Sequence, residues 1–202
     1  MTAFRDVALT ERVDQGDVFQ DLYFPAVDAN VLAVVITPTC DLEHEKAHFI
    51  KFVSTVALDL VIRIIADSVG INDSLFDSGS VLSKTKLSQL MEMFKRNTRG
   101  DFLPRYYLLT EYSGFPASYL DFQQIFVIPI RQVYEEYLSN RVARVESPWR
   151  EQIVVQYSGY SMRVGVPDYS DDKLRDLLVA TGLNLPLVSR MWWKKESVYP
   201  TL

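Results

Sequence analysis

Apolar and polar positions change period several times along this chain, and the changes divide it into elements. "GDVFQDLYFP", Gly16 to Pro25, leaves a Gly-Asp turn for β-branched and aromatic residues, which predicts a first strand. "ANVLAVVITPT" is a continuous apolar run rich in Val. That predicts a central strand buried on both faces and ended by Pro38, which has no N–H for a ladder. "HFIKFVSTVA" alternates and predicts a third strand. In "LDLVIRIIADSVG", Asp59, Arg63 and Asp67 recur every four residues. The pattern predicts a largely buried helix with one charged stripe, stopped at Gly70. In "SKTKLSQLMEMFKRNTRG", Leu87, Leu90, Met91 and Phe94 form a helical core stripe. Ser83 caps this helix, and basic residues gather at its negative C-terminal end.

Further on, "DFLPRYYLLTEY" and "DFQQIFVIPIRQV" predict strands around a Gly-Phe-Pro turn, and "NRVARV" a short one. "SPWREQIVVQYSGYSMRVG" predicts a helix toward Gly165, with Ser147 as N-cap and Pro148 at the first helical position. "YSDDKLRDLLVATG" predicts another, capped by Ser170 and ended by Gly182; the tail carries Trp192 and Trp193, which are expected to pack back on the body. There is no internal repeat and no low-complexity linker.

Composition adjusts this picture in three ways. At 202 residues and 48% hydrophobic content, one sizeable core is expected. No apolar run approaches the ~20 residues that span a bilayer, and charges at Arg5, Asp6, Glu11 and Arg12 break up any signal-peptide core. A lone cysteine cannot staple the fold, so the expected setting is a reducing cytoplasm, with no membrane partner.

Net charge of −5 argues against non-specific nucleic-acid binding, but the charge is unevenly placed. Residues 14 to 45 carry Asp14, Asp17, Asp21, Asp28, Asp41, Glu43 and Glu45 with no Lys or Arg. Residues 84 to 105 carry Lys84, Lys86, Lys95, Arg96, Arg99 and Arg105 against Glu92 and Asp101. Such runs are either solvated faces or, for the second, a ligand-facing basic patch. Within "KRNTRGDFLPRYY", Lys95, Arg96, Arg99, Arg105 and Tyr106 combine phosphate-holding cations with a ring that can stack on a base. That is what RNA or another single-stranded nucleic acid requires. The competing reading is a helix terminus with compensating basic residues, then a strand whose aromatics are core.

"TPTCDLEHEKAH" holds the single Cys and both His. Cys40, His44 and His48 offer zinc one thiolate and two imidazoles, on one face only if the segment is helical throughout. A metal- or thiol-dependent enzyme centred on Cys40 is one reading. The acidic neighbours do not supply the positive surroundings that a thiolate nucleophile needs, which favours a solvated turn after a strand end. The chain has no Walker loop, Gly-x-Gly-x-x-Gly, Gly-x-Ser-x-Gly or His-Glu-x-x-His. "RMWWKKE" suits an anchor for the tail or for a partner subunit, the reading of a non-catalytic interaction protein or homodimer.

Several stretches together, "QGDVFQDLYFP", "AVVITP", "FIKFVSTVA" and "FVIPIRQV…NRVARVESPWREQIVV", resemble the bacterial PemK/MazF family of toxin endoribonucleases from toxin–antitoxin systems. The resemblance covers roughly residues 13 to 56 and 121 to 165. It implies an α+β fold, an SH3-like antiparallel β-barrel in residues 1–165. A helical segment would be inserted at about 57–120, and a helical C-terminal extension over 166–202 would pack on the barrel. It further implies catalytic roles for Ser54 or Thr55 at the end of a strand. The family's catalytic Arg position holds Asn30 and Val31, with no Arg between residues 13 and 62, so the charge that stabilises a scissile phosphate is missing there. The resulting expectation is a protein that binds RNA or a protein partner, with its ribonuclease site lost or rebuilt.

Overall fold

In the computed structural model, which describes residues 3–44, 46–72, 76 and 81–162, strands β1 (Phe4–Arg5), β2 (Asp17–Phe24), β3 (Ala29–Val35), β4 (Phe49–Ala57), β5 (Tyr106–Leu109), β6 (Ser118–Pro129) and β7 (Arg141–Val145) form one antiparallel sheet. Their order is β1-β7-β2-β3-β4-β6-β5. Among the described residues it is accompanied by α1 (Thr39–Glu43), α2 (Leu58–Asp67), α3 (Lys84–Thr98) and α4 (Trp149–Ser161), with shorter helical turns between β6 and β7. The fold is therefore α+β. The described residues fall within one compact unit, Met1–Val164. The extension expected over 166–202, with Trp192 and Trp193, lies outside them. No helix among the described residues is long and apolar enough to cross a membrane.

Both faces of the sheet are covered, which is why β3 reads as a continuous apolar run. Val18, Val34 and Val53 join Leu120, Phe122 and Ile153 of α4 in one cluster. Their chain neighbours Phe19, Val35 and Phe52 join Ile50, Phe126 and Ile128 in another. The aromatic rings of this second cluster trace a curl. Phe19 meets Phe52 edge-on at 5.5 Å between centroids, Phe52 stacks on Phe126 at 5.4 Å, and Phe126 stacks on Phe24 at 4.6 Å. Phe24 and Phe126 belong to β2 and β6, which have β3 and β4 between them in the sheet. Register shifts between Phe19 and Leu22 and between Val53 and Thr55 mark the bulges that permit such bending.

The predicted strands over 16–25, 29–39 and 48–57 appear as β2, β3 and β4, and "NRVARV" as β7. Within the expected insertion, α2 and α3 pack through Val61, Ile65, Leu90 and Phe94 onto Tyr106 and Tyr119. The α3 stripe is rotated from its expected position. Leu90 and Phe94 pack, while Leu87 and Met91 are 49% and 48% exposed, and the buried place one turn on belongs to Asn97. Ser83 caps α3 as expected, its Oγ accepting from the Lys86 N–H. Ser147 does not cap α4; Pro148 occupies the N-cap position and makes no side-chain cap bond. The turn expected after β3 is the one-turn helix α1, which buries Leu42. The strand expected to run through "IPIRQV" stops at Pro129, and Ile130–Gln132, Val133–Tyr137 and Leu138–Asn140 follow as successive helical turns of different pitch.

A buried ionic knot ties the N-terminal segment to this sheet. Asp17, fully buried, accepts from Arg141 Nη1 at 3.0 Å and from Arg144 Nε and Nη2, the latter at 3.0 Å. The same guanidinium groups donate to the carbonyls of Ala8, Glu11 and Arg12. Gly16, just before it, has φ +87° and sits where a Cβ would lie 3.1 Å from the Val145 carbonyl oxygen, so the Gly-Asp pair is held by backbone geometry as well as charge.

Candidate nucleic-acid interface

The basic stretch predicted to face a ligand is the end of α3 and the loop after it. The helix stops because Gly100 adopts φ +79°, with its N–H donating to the Asn97 carbonyl at 2.9 Å and the Asp101 N–H donating to that of Arg96 at 3.0 Å. Asn97 turns inward and donates through Nδ2 to the Leu103 carbonyl at 3.3 Å. From α4, Gln156 Nε2 donates to the carbonyls of Pro104 at 3.2 Å and Tyr106 at 2.9 Å, fastening the loop to that helix.

Between α3 and α4 this arrangement leaves a cleft of about 630 Å³. Arg99, Tyr107, Gln152, Gln156 and Tyr160 are among its walls, and Glu151 is its acidic residue. Burial pushes the Tyr107 hydroxyl up to about 12, so it stays protonated and donates to the Trp149 carbonyl at 3.4 Å. Lys95, Arg96 and Arg99 are all exposed, and none enters an ion pair among the described residues. The other two predicted contacts have different surroundings. Arg105 donates from Nε and Nη2 to the fully buried Asp121, both at 2.6 Å, and lies over the Tyr106 ring. Tyr106 itself is 6% exposed and packs on Tyr119.

Tyr160, Gln152 and Gln156 escaped sequence reasoning. They recur every four residues on α4, a polar and aromatic stripe whose spacing was legible but whose meaning depended on which loop would pack there.

The positions matched to the family's catalytic pair also converge. Asn30, Val31 and Thr55 line a second cleft of about 430 Å³, together with Gln20, Asp21 and Ser118. Asp21 is the single charged residue among its described walls, and no Lys or Arg is present. Ser54, beside Thr55, points away: it is fully buried and its Oγ donates to Gln124 Oε1 at 2.8 Å. A cleft of this make-up can hydrogen-bond a ligand, but it offers no cation to a phosphate.

Cys40 and His44 lie on and just after α1, and His48 directly precedes β4; all three are exposed. The thiol lies 3.7 Å from Asp41 Oδ1. Among the described residues, no three His, Cys, Asp or Glu side chains are grouped so as to hold a metal ion. The helix ends at Glu43, so the one-face geometry that zinc would need from Cys40, His44 and His48 does not form.

The chain matches no model of a known protein family, and no curated protein sequence matches it.

Proposed function

We propose that this protein is a PemK/MazF-like α+β protein that binds single-stranded RNA in the cleft between α3 and α4, without cleaving it. The observation that carries the reading is Arg99, exposed and without an ion pair among the described residues, in the wall of a cleft that also holds Tyr107 and Tyr160, with exposed Lys95 and Arg96 on the last turn of the helix before it. Cations on one rim hold phosphates, and rings inside offer stacking surfaces that tolerate any base. The curl that brings Phe24 onto Phe126 supports an SH3-like barrel as the scaffold. A bacterial origin follows from the PemK/MazF resemblance, and a reducing cytoplasm from the lone cysteine. The neutral-to-acidic walls around Thr55 support binding over cleavage, since charge building on a phosphate would meet Asp21 there.

The test is fluorescence anisotropy with a labelled mixed-sequence single-stranded RNA across a salt series. Arg96→Ala and Arg99→Ala should each weaken binding about 3- to 10-fold. Each should also reduce the slope of log affinity against log salt by about 0.7, the value for one lost contact to a single strand. Unchanged affinity and slope in both variants overturn the site. The same samples run on a denaturing gel should show intact RNA. Cleavage that disappears in Thr55→Ala would instead restore the catalytic reading of the second cleft.

A further inference from the structure

The cleft beside Thr55 exists because two paired ribbons of the sheet part company there. β3 pairs with β4 only from Ala33, opposite Ser54, to Val35, opposite Phe52. Beyond Ala33, β3 stays with β2 as far as Ala29, and beyond Ser54, β4 stays with β6 as far as Ala57. Each ribbon breaks register at that level. In β2, Gln20 and Asp21 together stand against Leu32; in β6, residues 121 to 124 stand against Ser54. A bulge bends its strand and tightens the local twist, so two ribbons bulged where they meet diverge beyond that point. The cleft of about 430 Å³ takes its walls from both: Gln20, Asp21, Asn30 and Leu32 from one, Thr55 and Ser118 from the other.

Asp21 has φ +54°, a left-handed conformation uncommon outside glycine. Backbone held in such a conformation clusters at ligand sites. Its carbonyl accepts from Asn140 Nδ2 at 3.5 Å, while its carboxylate is exposed and has no hydrogen bond or ion pair among the described residues. The side chains of Gln20, Asn30 and Thr55 also make no hydrogen bond among the described residues. Ser118 is 5% exposed and its hydroxyl has no partner there either, and a buried polar group left unmet is costly. Leu32, Leu58 and Phe115 add apolar surface. One carboxylate faces no Lys or Arg among the described walls. A concave wall carrying one sign of charge focuses its field, which repels an anion and draws in a cation.

From this lining we infer that the cleft between the two ribbons is a binding site for a small organic cation, an amine protonated at neutral pH with an apolar body. Its ammonium sits against Asp21, and its body lies on Leu32, Leu58 and Phe115. Asn30 and Thr55 supply the hydrogen bonds that orient it. A few placed polar groups in a mainly apolar cleft of this size are the usual make-up of a small-molecule site. The cleft shares no wall residue with the one between α3 and α4, so amine binding here and RNA binding there stand or fall separately.

The probes are three compounds of similar shape: phenethylammonium, its neutral analogue phenethyl alcohol, and the anion phenylacetate. Each is titrated into the full chain and followed through backbone amide chemical shifts. The ammonium should shift the amides of Asn30, Leu32 and Thr55. It should bind at least about threefold more tightly than the alcohol, the margin an exposed charge pair gives, with the anion weaker again. Asp21→Asn keeps a residue that tolerates positive φ and removes the charge. In that variant the ammonium should fall to the affinity of the alcohol, whose own affinity should stay within about twofold. Ala57→Phe, at an exposed position in the wall, should weaken all three. No shift at those amides, equal affinity for ammonium and alcohol, or a preference that survives Asp21→Asn overturns the proposal.

Discussion

At one end of the sheet, Arg141 and Arg144 are buried against Asp17, with side-chain exposures of 0% and 10%, whereas at the end of α3, Arg96 and Arg99 lie in solvent with no ion pair among the described residues. Both pairs come from short basic stretches, and residue type does not distinguish them. Surroundings do. A buried guanidinium must be satisfied on nearly every N–H, because an unmet buried charge costs several kcal/mol. Asp17 and the carbonyls of Ala8, Glu11 and Arg12 meet that need for β7. The α3 cations have water around them and remain available to a polyanion. Arg105 stands between the two cases: it is about one-third exposed, yet its fork is closed on the buried Asp121. The contrast separates cations that hold the fold from cations that can hold a ligand.

The largest effect that would break this comparison is expected at Asp17. Asp17→Asn removes the counter-charge of two buried guanidinium groups, and the expected loss is about 3–5 kcal/mol in urea denaturation. RNA affinity per folded molecule should not change. A variant that kept its stability and lost RNA binding would place the ligand at β7 and dissolve the distinction.

Gly100→Ala sharpens the other side. A Cβ there must adopt φ +79° and would lie 3.2 Å from Gln156 Oε1, the side chain that fastens the loop to α4. Backbone strain of that kind costs about 1–2 kcal/mol. RNA affinity should fall with stability here, because the strain sits between Arg99 and the cleft wall. Equal RNA affinity in Gly100→Ala and the parent protein would mean that the cations act as a mobile cluster that needs no particular loop geometry.

Much of the strand content was legible because β2, β3, β4 and β7 bury regular or continuous apolar runs. The α3 stripe was legible only as a period. Periodicity tells which residues share a helix face, but it cannot tell whether a neighbour covers Leu87 and Met91 or Leu90 and Asn97. Ser147 looked like a cap because serine often is one. The chain instead enters α4 through Pro148, which has no side chain to cap with, and the Ser147 hydroxyl bonds the Glu151 carboxylate. At the candidate site, Lys95, Arg96 and Arg99 could be read directly, since a helix end with cations needs no partner to be exposed. The clamp from Gln156 and the closure of Arg105 on Asp121 depend on tertiary packing, and the Asp17 knot joins neighbouring strands β2 and β7 from opposite ends of the described sequence. Local spacing carries no trace of pairings at that range. The second cleft shows a middle case: the resemblance aligned Asn30, Val31 and Thr55 from separate strands, and they do share walls.

The smallest expected effect is also the one that best resolves the edge of the buried knot, at Glu11. Its carboxylate accepts from Arg5 Nη1 at 3.1 Å and Nη2 at 2.7 Å, from the Ala8 N–H at 3.1 Å, and from Arg144 Nη1 at 3.4 Å. The Arg5 hydrogen bonds, followed by the Ala8 N–H, lower its pKa from 4.5 to about 2. A carboxyl held below its unfolded value stabilises the fold fully above about 4.5, and that contribution is lost as pH falls through about 2. Glu11→Gln keeps the shape and removes the titration. Urea denaturation in steps from pH 7 downward should therefore show the variant less stable at neutral pH. Its gap to the parent should narrow below about pH 4.5 and approach zero near pH 2. A constant gap across that range would mean that Glu11 contributes through its shape and not its charge. Arg144 would then owe its place to Asp17 and the Arg12 carbonyl alone, with the rim of the knot electrostatically silent.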